Sequence, residues 1–185
     1  MMSNIKFNRK EIFNMTKSNN LTVCFTGHRP QNLPFGFNEE DPRCIRMRRM
    51  LARKTEELIL SQGATHFISG MAIGVDMICA EIVLELREKY SHITLECAVP
   101  CKSQPCKWSD SMKERYYSIL ERSNKVTFVQ DSYTSDCMHK RNRYMIEHTD
   151  VVIAVWNGNP SGTGYTVNYA KEQGRKIYVL NPDKL

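Results

Sequence analysis

The sequence has no long hydrophobic run. None of its apolar stretches approaches the roughly 20 residues that a bilayer-spanning helix needs. Residues 1–20 also lack the apolar stretch and the small-residue cleavage site of a signal peptide. Internal repeats and low-complexity segments are missing too. We therefore expect a soluble, cytoplasmic protein that makes no contact with a membrane.

Cysteine spacing typical of a metal site is also missing. The seven cysteines are scattered along the chain and form no CxxC pair. Several of them lie in apolar runs, where a thiol behaves as a small hydrophobic group. Cys97, Cys101 and Cys106 come close together, but their spacing matches no zinc pattern and no nearby histidine completes a set. We expect reduced thiols and no bound metal.

A modest positive charge is present. The chain has 26 Lys and Arg against 20 Asp and Glu, a net charge of +6, which favours anionic partners. Much of the excess lies in residues 43–60, "RCIRMRRMLARKTEELIL", where the apolar residues approximate a helical stripe and the arginines occupy the other face. No aromatic residues are interleaved with these charges. A solvated helix face is therefore the preferred interpretation, and nucleic acid is not the expected partner.

Short apolar runs alternate with longer helical patterns along the chain. The runs predict six strands, at residues 21–25, 65–69, 93–99, 125–129, 151–156 and 176–180. The helical patterns lie near residues 43–61, 74–89, 109–122, 139–148 and 164–173. This alternation predicts an α/β fold, a Rossmann-like doubly wound and mostly parallel sheet with helices on both faces. We expect a single domain over residues 21–185, preceded by a polar extension at residues 1–20.

Three loops that follow predicted strands contain glycine where the strand ends. They are "FTGHRP" (residues 25–30), "SGMAIGVD" (69–76) and "NGNPSGTG" (157–164). The carboxyl ends of parallel strands meet at one edge of the sheet, where ligands bind. Glycine allows backbone amides to approach a ligand closely, and the start of a helix favours negative charge. A single turn of this kind also occurs in ordinary helix caps, so the predicted anion site depends on the three loops lying together.

Side chains in these loops, and in the helix after the fourth strand, are the candidate ligand contacts. Arg29 can grip a phosphate through two hydrogen bonds, and His28 can donate a hydrogen bond or carry a proton. Asp76 either stabilises the first turn of its helix, accepts hydrogen bonds from ribose hydroxyls, or assists the cleavage of a sugar bond. The complete candidate set is Gly27, His28, Arg29, Ser69, Gly70, Gly74, Asp76, Arg141, Asn142, Ser161, Gly162, Thr163 and Gly164.

Four segments taken together resemble a known family. "TGHRP", "SGMAIGVDMICAE", "RNRYMIEHTDVVIAVWNG" and "PSGTGYTVNYA" are similar, in type and in order, to the SLOG superfamily and most closely to its YpsA-like branch. The resemblance covers about residues 21–182. It implies a Rossmann-like fold with a pocket for nucleotides or related molecules, including NAD- or ADP-ribose-derived signals. Relatives of this type often form dimers or higher oligomers.

One departure from the superfamily bears on catalysis. Its Lonely-Guy phosphoribohydrolases carry the motif Pro-Gly-Gly-x-Gly-Thr-x-x-Glu, whose glutamate assists glycosidic cleavage, and Asn168 stands at that position here. An amide cannot exchange a proton or stabilise an oxocarbenium charge as a carboxylate does. The resemblance therefore implies that this hydrolase chemistry is lost unless Asp76 replaces the glutamate.

The leading hypothesis is a binding protein that acts as a sensor, a sequestering protein or a carrier. Its ligand is derived from a nucleotide, such as NAD, ADP-ribose or a nucleoside phosphate, and no cofactor is required. The phosphates would lie on residues 162–164 and 70–74, with Arg29 clamping them. Aromatic residues that either stack on a base or pack in the core or a lid are Trp108, Tyr133 and Trp156.

Two other classes of function stay open. The first is a hydrolase that cleaves an N-glycosidic or phosphate bond, with Asp76 and His28 as its catalytic residues. The second is a single-stranded DNA-binding protein of the DprA type, since the DNA-processing proteins of the superfamily share the "SGxAxGxD" type of loop. We expect DNA binding least, because the charge excess is modest and the length of the sequence leaves no room for an added DNA-binding module.

Overall fold

Six parallel strands form one sheet in the computed structural model, which describes residues 20–185. The strands are β1 (Leu21–Gly27), β2 (Ala64–Ser69), β3 (Thr94–Val99), β4 (Lys125–Phe128), β5 (Val151–Val155) and β6 (Lys176–Leu180). Their order across the sheet is β4-β3-β2-β1-β5-β6, and every neighbouring pair is parallel. The polar extension predicted at residues 1–20 lies outside the described residues, apart from Asn20.

Five α-helices cover the two faces of this sheet. They are α1 (Pro42–Gln62), α2 (Val75–Lys89), α3 (Asp110–Arg122), α4 (Cys137–Glu147) and α5 (Gly162–Glu172), and short 3-10 turns occupy Pro30–Asn32 and Pro182–Lys184. One buried cluster contains apolar side chains of α1, α2 and α3, and a second contains those of α4 and α5. The predicted Rossmann-like, doubly wound fold with six strands is therefore confirmed.

Capping residues and strand pairing account for the small differences from the predicted boundaries. Helix α5 begins at Gly162, earlier than predicted, because Ser161 has an extended backbone and its Oγ accepts a hydrogen bond from the Gly164 amide at 3.0 Å. Strand β1 extends to Gly27 because that residue still pairs with Val155 of β5. The local hydrophobic pattern therefore predicts where each helix and strand lies, whereas capping residues and pairing with neighbouring strands determine where it begins and ends.

The order of the strands reverses at β1. The chain moves outward from β1 to β4 on one side and then returns to place β5 on the other side of β1. In doubly wound sheets, ligands bind in the crevice that this switch opens at the carboxyl ends of the strands. The loops that follow β1 and β5 therefore leave the sheet side by side.

Residues 20–185 contain neither a membrane-spanning helix nor a cluster of metal-binding side chains. No helix in this range is long and apolar enough to cross a membrane. The same range contains no group of three or more His, Cys, Asp and Glu side chains that could hold a metal ion. All seven cysteines are free, and only Cys106 is exposed.

Candidate functional site

A small cavity lies at the carboxyl ends of β1 and β5. Its volume is about 150 Å³, and its wall is formed by the loops after β1, β2 and β5 together with α4. The wall includes most of the predicted site residues, namely Gly27, His28, Arg29, Asp76, Arg141, Asn142, Ser161, Gly162 and Thr163. The three loops rich in glycine therefore meet at one place, and the start of α4 joins them.

The other predicted residues lie next to the cavity but not on its wall: Ser69, Gly70, Gly74 and Gly164. The hydroxyl of Ser69 donates a hydrogen bond to the Asp76 carbonyl at 2.7 Å, which ties the end of β2 to the start of α2. Gly74 has a positive φ of +103°, which few other residues adopt, and it packs against the His28 carbonyl. In the structure these positions support the site from inside the protein.

A buried ion pair joins two walls of the cavity. Nη1 of Arg141, on α4, lies 3.2 Å from Oδ2 of Asp76, and the two side chains are only 6% and 8% exposed. The same guanidinium donates to the Gly70 carbonyl, and the Ala72 amide donates to Asp76 Oδ2 at 3.3 Å. Burial raises the pKa of Asp76, although the charge of Arg141 opposes the rise. Asp76 therefore serves as the counterion of Arg141.

Gly70 makes room for this ion pair. A Cβ atom on Gly70 would overlap the guanidinium of Arg141 and would lie 2.7 Å from Asp76 Oδ2. A side chain of any size at position 70 would push Arg141 away from its partner. In the structure, the absence of a side chain on Gly70 lets the guanidinium of Arg141 approach the backbone.

His28 is held between the loops that follow β1 and β5. Its side chain is buried, and Nε2 lies 3.0 Å from Oδ1 of Asn157. Two buried polar atoms of the cavity-lining residues have no hydrogen-bond partner within residues 20–185: Nδ1 of His28 and Nε of Arg141. The arginine Nε always carries a proton, so it can only donate. An acceptor oxygen is the group that suits it.

The start of α5 adds further donors to the wall. The first amides of a helix have no partner within the helix. Ser161 accepts from the Gly164 amide, and the amides of Gly162 and Thr163 have no acceptor among residues 20–185. A Cβ atom on Gly162 would meet no heavy atom within 4 Å, so this glycine borders open space. The positive end of the helix dipole favours an anion at this point.

The charges around the cavity do not balance. Arg29 is exposed, lines the cavity and forms no ion pair within residues 20–185. Arg141 is already neutralised by Asp76, the one acidic residue on the wall. Arg29 and the N-terminus of α5 therefore leave a surplus of positive charge, which a small anion would neutralise.

A larger cleft of about 800 Å³ adjoins the cavity. The two share Arg29, Ala72 and Met138 as lining residues. Of the aromatic residues considered from the sequence, Trp108 and Tyr133 line this cleft, whereas Trp156 lines neither space. Further lining residues of the cleft that the sequence analysis missed include Phe37 and Gln104.

The motifs that converge on the cavity match one protein family. The YpsA family model, described as the YspA SLOG family, matches residues 23–185. The chain belongs to this SLOG family. The resemblance seen in the four sequence segments is thereby confirmed.

The similarity of this SLOG chain to curated relatives covers most of its length. It is 31% identical over 158 residues to the uncharacterized SPbeta prophage-derived protein YoqJ of Bacillus subtilis (strain 168), covering 78% of this chain and 92% of that protein. It is 29% identical over 143 residues to a UPF0398 protein of Bacillus pumilus (strain SAFR-032), covering 76% of each. Neither name assigns an activity.

Two solved structures share the fold at low sequence identity. DNA processing protein A of Helicobacter pylori, described in terms of its single-stranded DNA binding mode, has a TM-score of 0.56 and 20% identity, over 90% of this chain and 68% of that one. DNA processing protein A (DprA) of Streptococcus pneumoniae has a TM-score of 0.56 and 15% identity, over 89% of this chain and 51% of that one. At this identity the similarity shows that the three proteins share the Rossmann-like fold.

The position aligned with the Lonely-Guy glutamate lies away from the cavity. Asn168 of the SLOG chain is exposed on α5, and it is not among the cavity-lining residues. The carboxylate that lines the cavity is Asp76, which is engaged by Arg141 and by the Ala72 amide. The cavity is therefore richer in hydrogen-bond donors than in free acid or base groups.

Proposed function

We propose that this chain binds a phosphate-bearing, nucleotide-derived small molecule at the switch point and acts as a sensor, a sequestering protein or a carrier. The phosphate lies against the amides of Gly162 and Thr163, and Arg29 closes over it. NAD, ADP-ribose and nucleoside monophosphates all carry such a group. The observation that carries the proposal is the surplus of unpaired donors and positive charge on the wall of one cavity.

The sizes of the two spaces support this proposal. Pockets for drug-sized ligands are usually about 300–1,000 Å³, so the cavity of about 150 Å³ suits a single anionic group rather than a whole nucleotide. The adjoining cleft, at about 800 Å³, has room for the remainder of the molecule. Arg29 lies on both walls, so a ligand could extend from the cavity to the cleft past this side chain.

A hydrolase is less well supported by the same geometry. A general base needs an atom that can take a proton from substrate or water. A proton on Asp76 would leave the buried guanidinium of Arg141 without its counterion, and the ring nitrogen of His28 that Asn157 does not hold, Nδ1, is buried. We therefore expect the ligand to be recovered intact after incubation with the protein.

Single-stranded DNA is a second candidate ligand, because the Helicobacter pylori neighbour is described as binding it. The phosphates of an oligonucleotide could use the same donors at the start of α5 and at Arg29. Retention of an oligonucleotide that falls steeply with added salt would support this candidate. The cytoplasmic location and the assembly into dimers or larger oligomers stay predictions.

The test is calorimetric titration with AMP, ADP-ribose, NAD and adenosine. We expect at least one phosphate-bearing compound to bind and adenosine, which lacks phosphate, to bind much more weakly. Arg29→Ala should weaken phosphate binding by about tenfold or more, since a charge-assisted hydrogen bond contributes about 1.5–3 kcal/mol. Gly162→Ala should also weaken binding, because the added methyl group meets no protein atom and enters the space beside the Gly162 amide, where the phosphate is proposed to lie.

Arg46→Ala is the matched control. Arg46 is exposed on α1, forms no ion pair within residues 20–185 and lines neither the cavity nor the cleft. Its loss changes the net charge as the loss of Arg29 does, so the control should bind phosphate compounds like the unaltered protein. Equal affinity for AMP and adenosine, or equal effects of the two arginine variants, would overturn the proposal.

A further inference from the structure

The cleft beside the cavity has the chemical character of a site for a flat, polar-edged ring. Three aromatic side chains line it, and two of them are well exposed: Phe37 at 62% and Tyr133 at 67%. The third, Trp108, packs edge-on against buried Tyr116, with ring centroids 5.3 Å apart, which holds the indole in place. Exposed aromatic rings around a cleft offer stacking surfaces for a planar ligand.

Gln104 adds a directional group to the same cleft. Gln104 is one of the residues that line the cleft, although it is only 9% exposed. Nε2 donates to the Met71 carbonyl at 3.1 Å, which fixes the amide, and Oε1 has no hydrogen-bond partner within residues 20–185. A buried polar atom without a partner is costly, so Oε1 is the atom that a ligand donor would satisfy.

We propose that the cleft is a nucleobase subsite that selects a base bearing an exocyclic amino group, with Gln104 Oε1 accepting from that group. Trp108, Tyr133 and Phe37 provide the stacking surfaces. This inference rests on the proposed function, because the base occupies the cleft while the phosphate of the same molecule lies in the cavity. The shared wall at Arg29, Ala72 and Met138 makes the two sites continuous.

Because Gln104 Oε1 is a hydrogen-bond acceptor, the cleft should prefer adenine to hypoxanthine. Adenine carries an amino group where hypoxanthine carries a carbonyl oxygen, and the two bases stack similarly. The hydrogen bond from Gln104 Nε2 to the Met71 carbonyl fixes the amide, so Oε1 attracts the amino group of adenine and repels the carbonyl oxygen of hypoxanthine. AMP gains a hydrogen bond to Oε1, whereas IMP would place two acceptors against each other, so we expect AMP to bind about tenfold more tightly than IMP, a difference of about 1.4 kcal/mol.

The test is a titration of the protein with AMP, IMP and ribose 5-phosphate. AMP should bind more tightly than both of the others, and Gln104→Met should make the affinities for AMP and IMP equal while leaving that for ribose 5-phosphate unchanged. Tyr133→Ala should weaken AMP binding but not ribose 5-phosphate binding. Tyr117→Ala is the matched control, because Tyr117 is 54% exposed and does not line the cleft.

The three ligands separate failure of this inference from failure of the proposed function. If ribose 5-phosphate binds as tightly as AMP, or if AMP and IMP bind equally, the nucleobase subsite is refuted while the phosphate site stands. An AMP preference that persists in Gln104→Met also refutes it. If none of the three ligands binds, this inference fails, and the proposed function fails with it when ADP-ribose and NAD do not bind either. Tyr133→Ala keeps the test open should Gln104→Met not fold, because Tyr133 is a surface residue.

Discussion

Asp76 and Glu96 are both buried carboxylates, but their surroundings differ. Asp76, beside the cavity, has one charged partner, Arg141, and one amide donor, Ala72, and burial raises its pKa. Glu96, in the middle of β3, is 2% exposed, and although burial opposes ionisation, its hydrogen-bond partners hold its pKa well below the ordinary value of 4.5. Those partners are His66 at 3.0 Å, Thr127 at 2.7 Å, Tyr144 at 2.7 Å and Lys125 at 3.1 Å.

The number of donors explains the opposite shifts. A buried charge is tolerated when hydrogen bonds replace the water that it loses. Glu96 has a full set of such bonds from β2, β4 and α4, so we interpret it as part of the framework. Asp76 has fewer, and two other residues of the cavity wall, His28 and Arg141, each have a buried polar atom without a partner among residues 20–185. Of the two regions, the cavity is therefore the one whose hydrogen bonds are incomplete.

The largest effect on stability is expected from Arg141→Met. This change leaves the Asp76 carboxylate buried without its counterion, and the loss of one partner of a buried pair costs about 3–5 kcal/mol in the free energy of unfolding. Urea denaturation measures it. Arg46→Met, at an exposed position, should change stability by less than about 0.5 kcal/mol. Similar losses in the two variants would mean that the buried pair contributes nothing specific.

An intermediate effect is expected from Glu96→Gln. The amide keeps the shape but offers one acceptor oxygen instead of two, so some of the four donors face an NH2 group, at a cost of about 2 kcal/mol. Asp76→Asn should cost more than Glu96→Gln, about 3–5 kcal/mol, because it leaves the guanidinium of Arg141 buried without its counterion. If urea denaturation ranks Glu96→Gln and Asp76→Asn in the reverse order, the contrast drawn between Glu96 and Asp76 is wrong.

The smallest effect is on the pH dependence of stability. The folded pKa of Glu96 lies below 4.5, so its contribution is present above about pH 4.5 and is lost as the pH falls through the folded value. The folded pKa of Asp76 lies above 3.8, so its contribution is present below that pH and is lost as the pH rises through the folded value. Unfolding curves across this range should show a shallower acid-side loss in Glu96→Gln and a flatter high-pH decline in Asp76→Asn. Identical pH profiles in the three proteins would contradict these assignments.

Much of the fold could be predicted because each element has a local signal. Strand β6 has the predicted bounds, residues 176–180, since its apolar run stands between polar residues. Much of the cavity wall was also predictable, because glycine-rich loops after parallel strands must share one edge. Arg29 and Gly162 were found in this way.

The remaining features depend on contacts between distant segments. Arg141 was predicted to contact the ligand, but its pairing with Asp76, 65 residues away, follows from how α4 packs against the loop after β2. Gln104 lies in a loop without a recognisable pattern, so nothing in the sequence marked it. Glu96 stands inside the apolar run "ITLECAV", and its role depends on donors from other strands and from a helix.

The most direct test of the central claim is a structure determined with bound AMP. The account predicts that the phosphate oxygens lie within hydrogen-bond distance of the Gly162 and Thr163 amides, with the Arg29 guanidinium beside them. A phosphate bound elsewhere on the protein, with the start of α5 making no contact to it, would contradict the account.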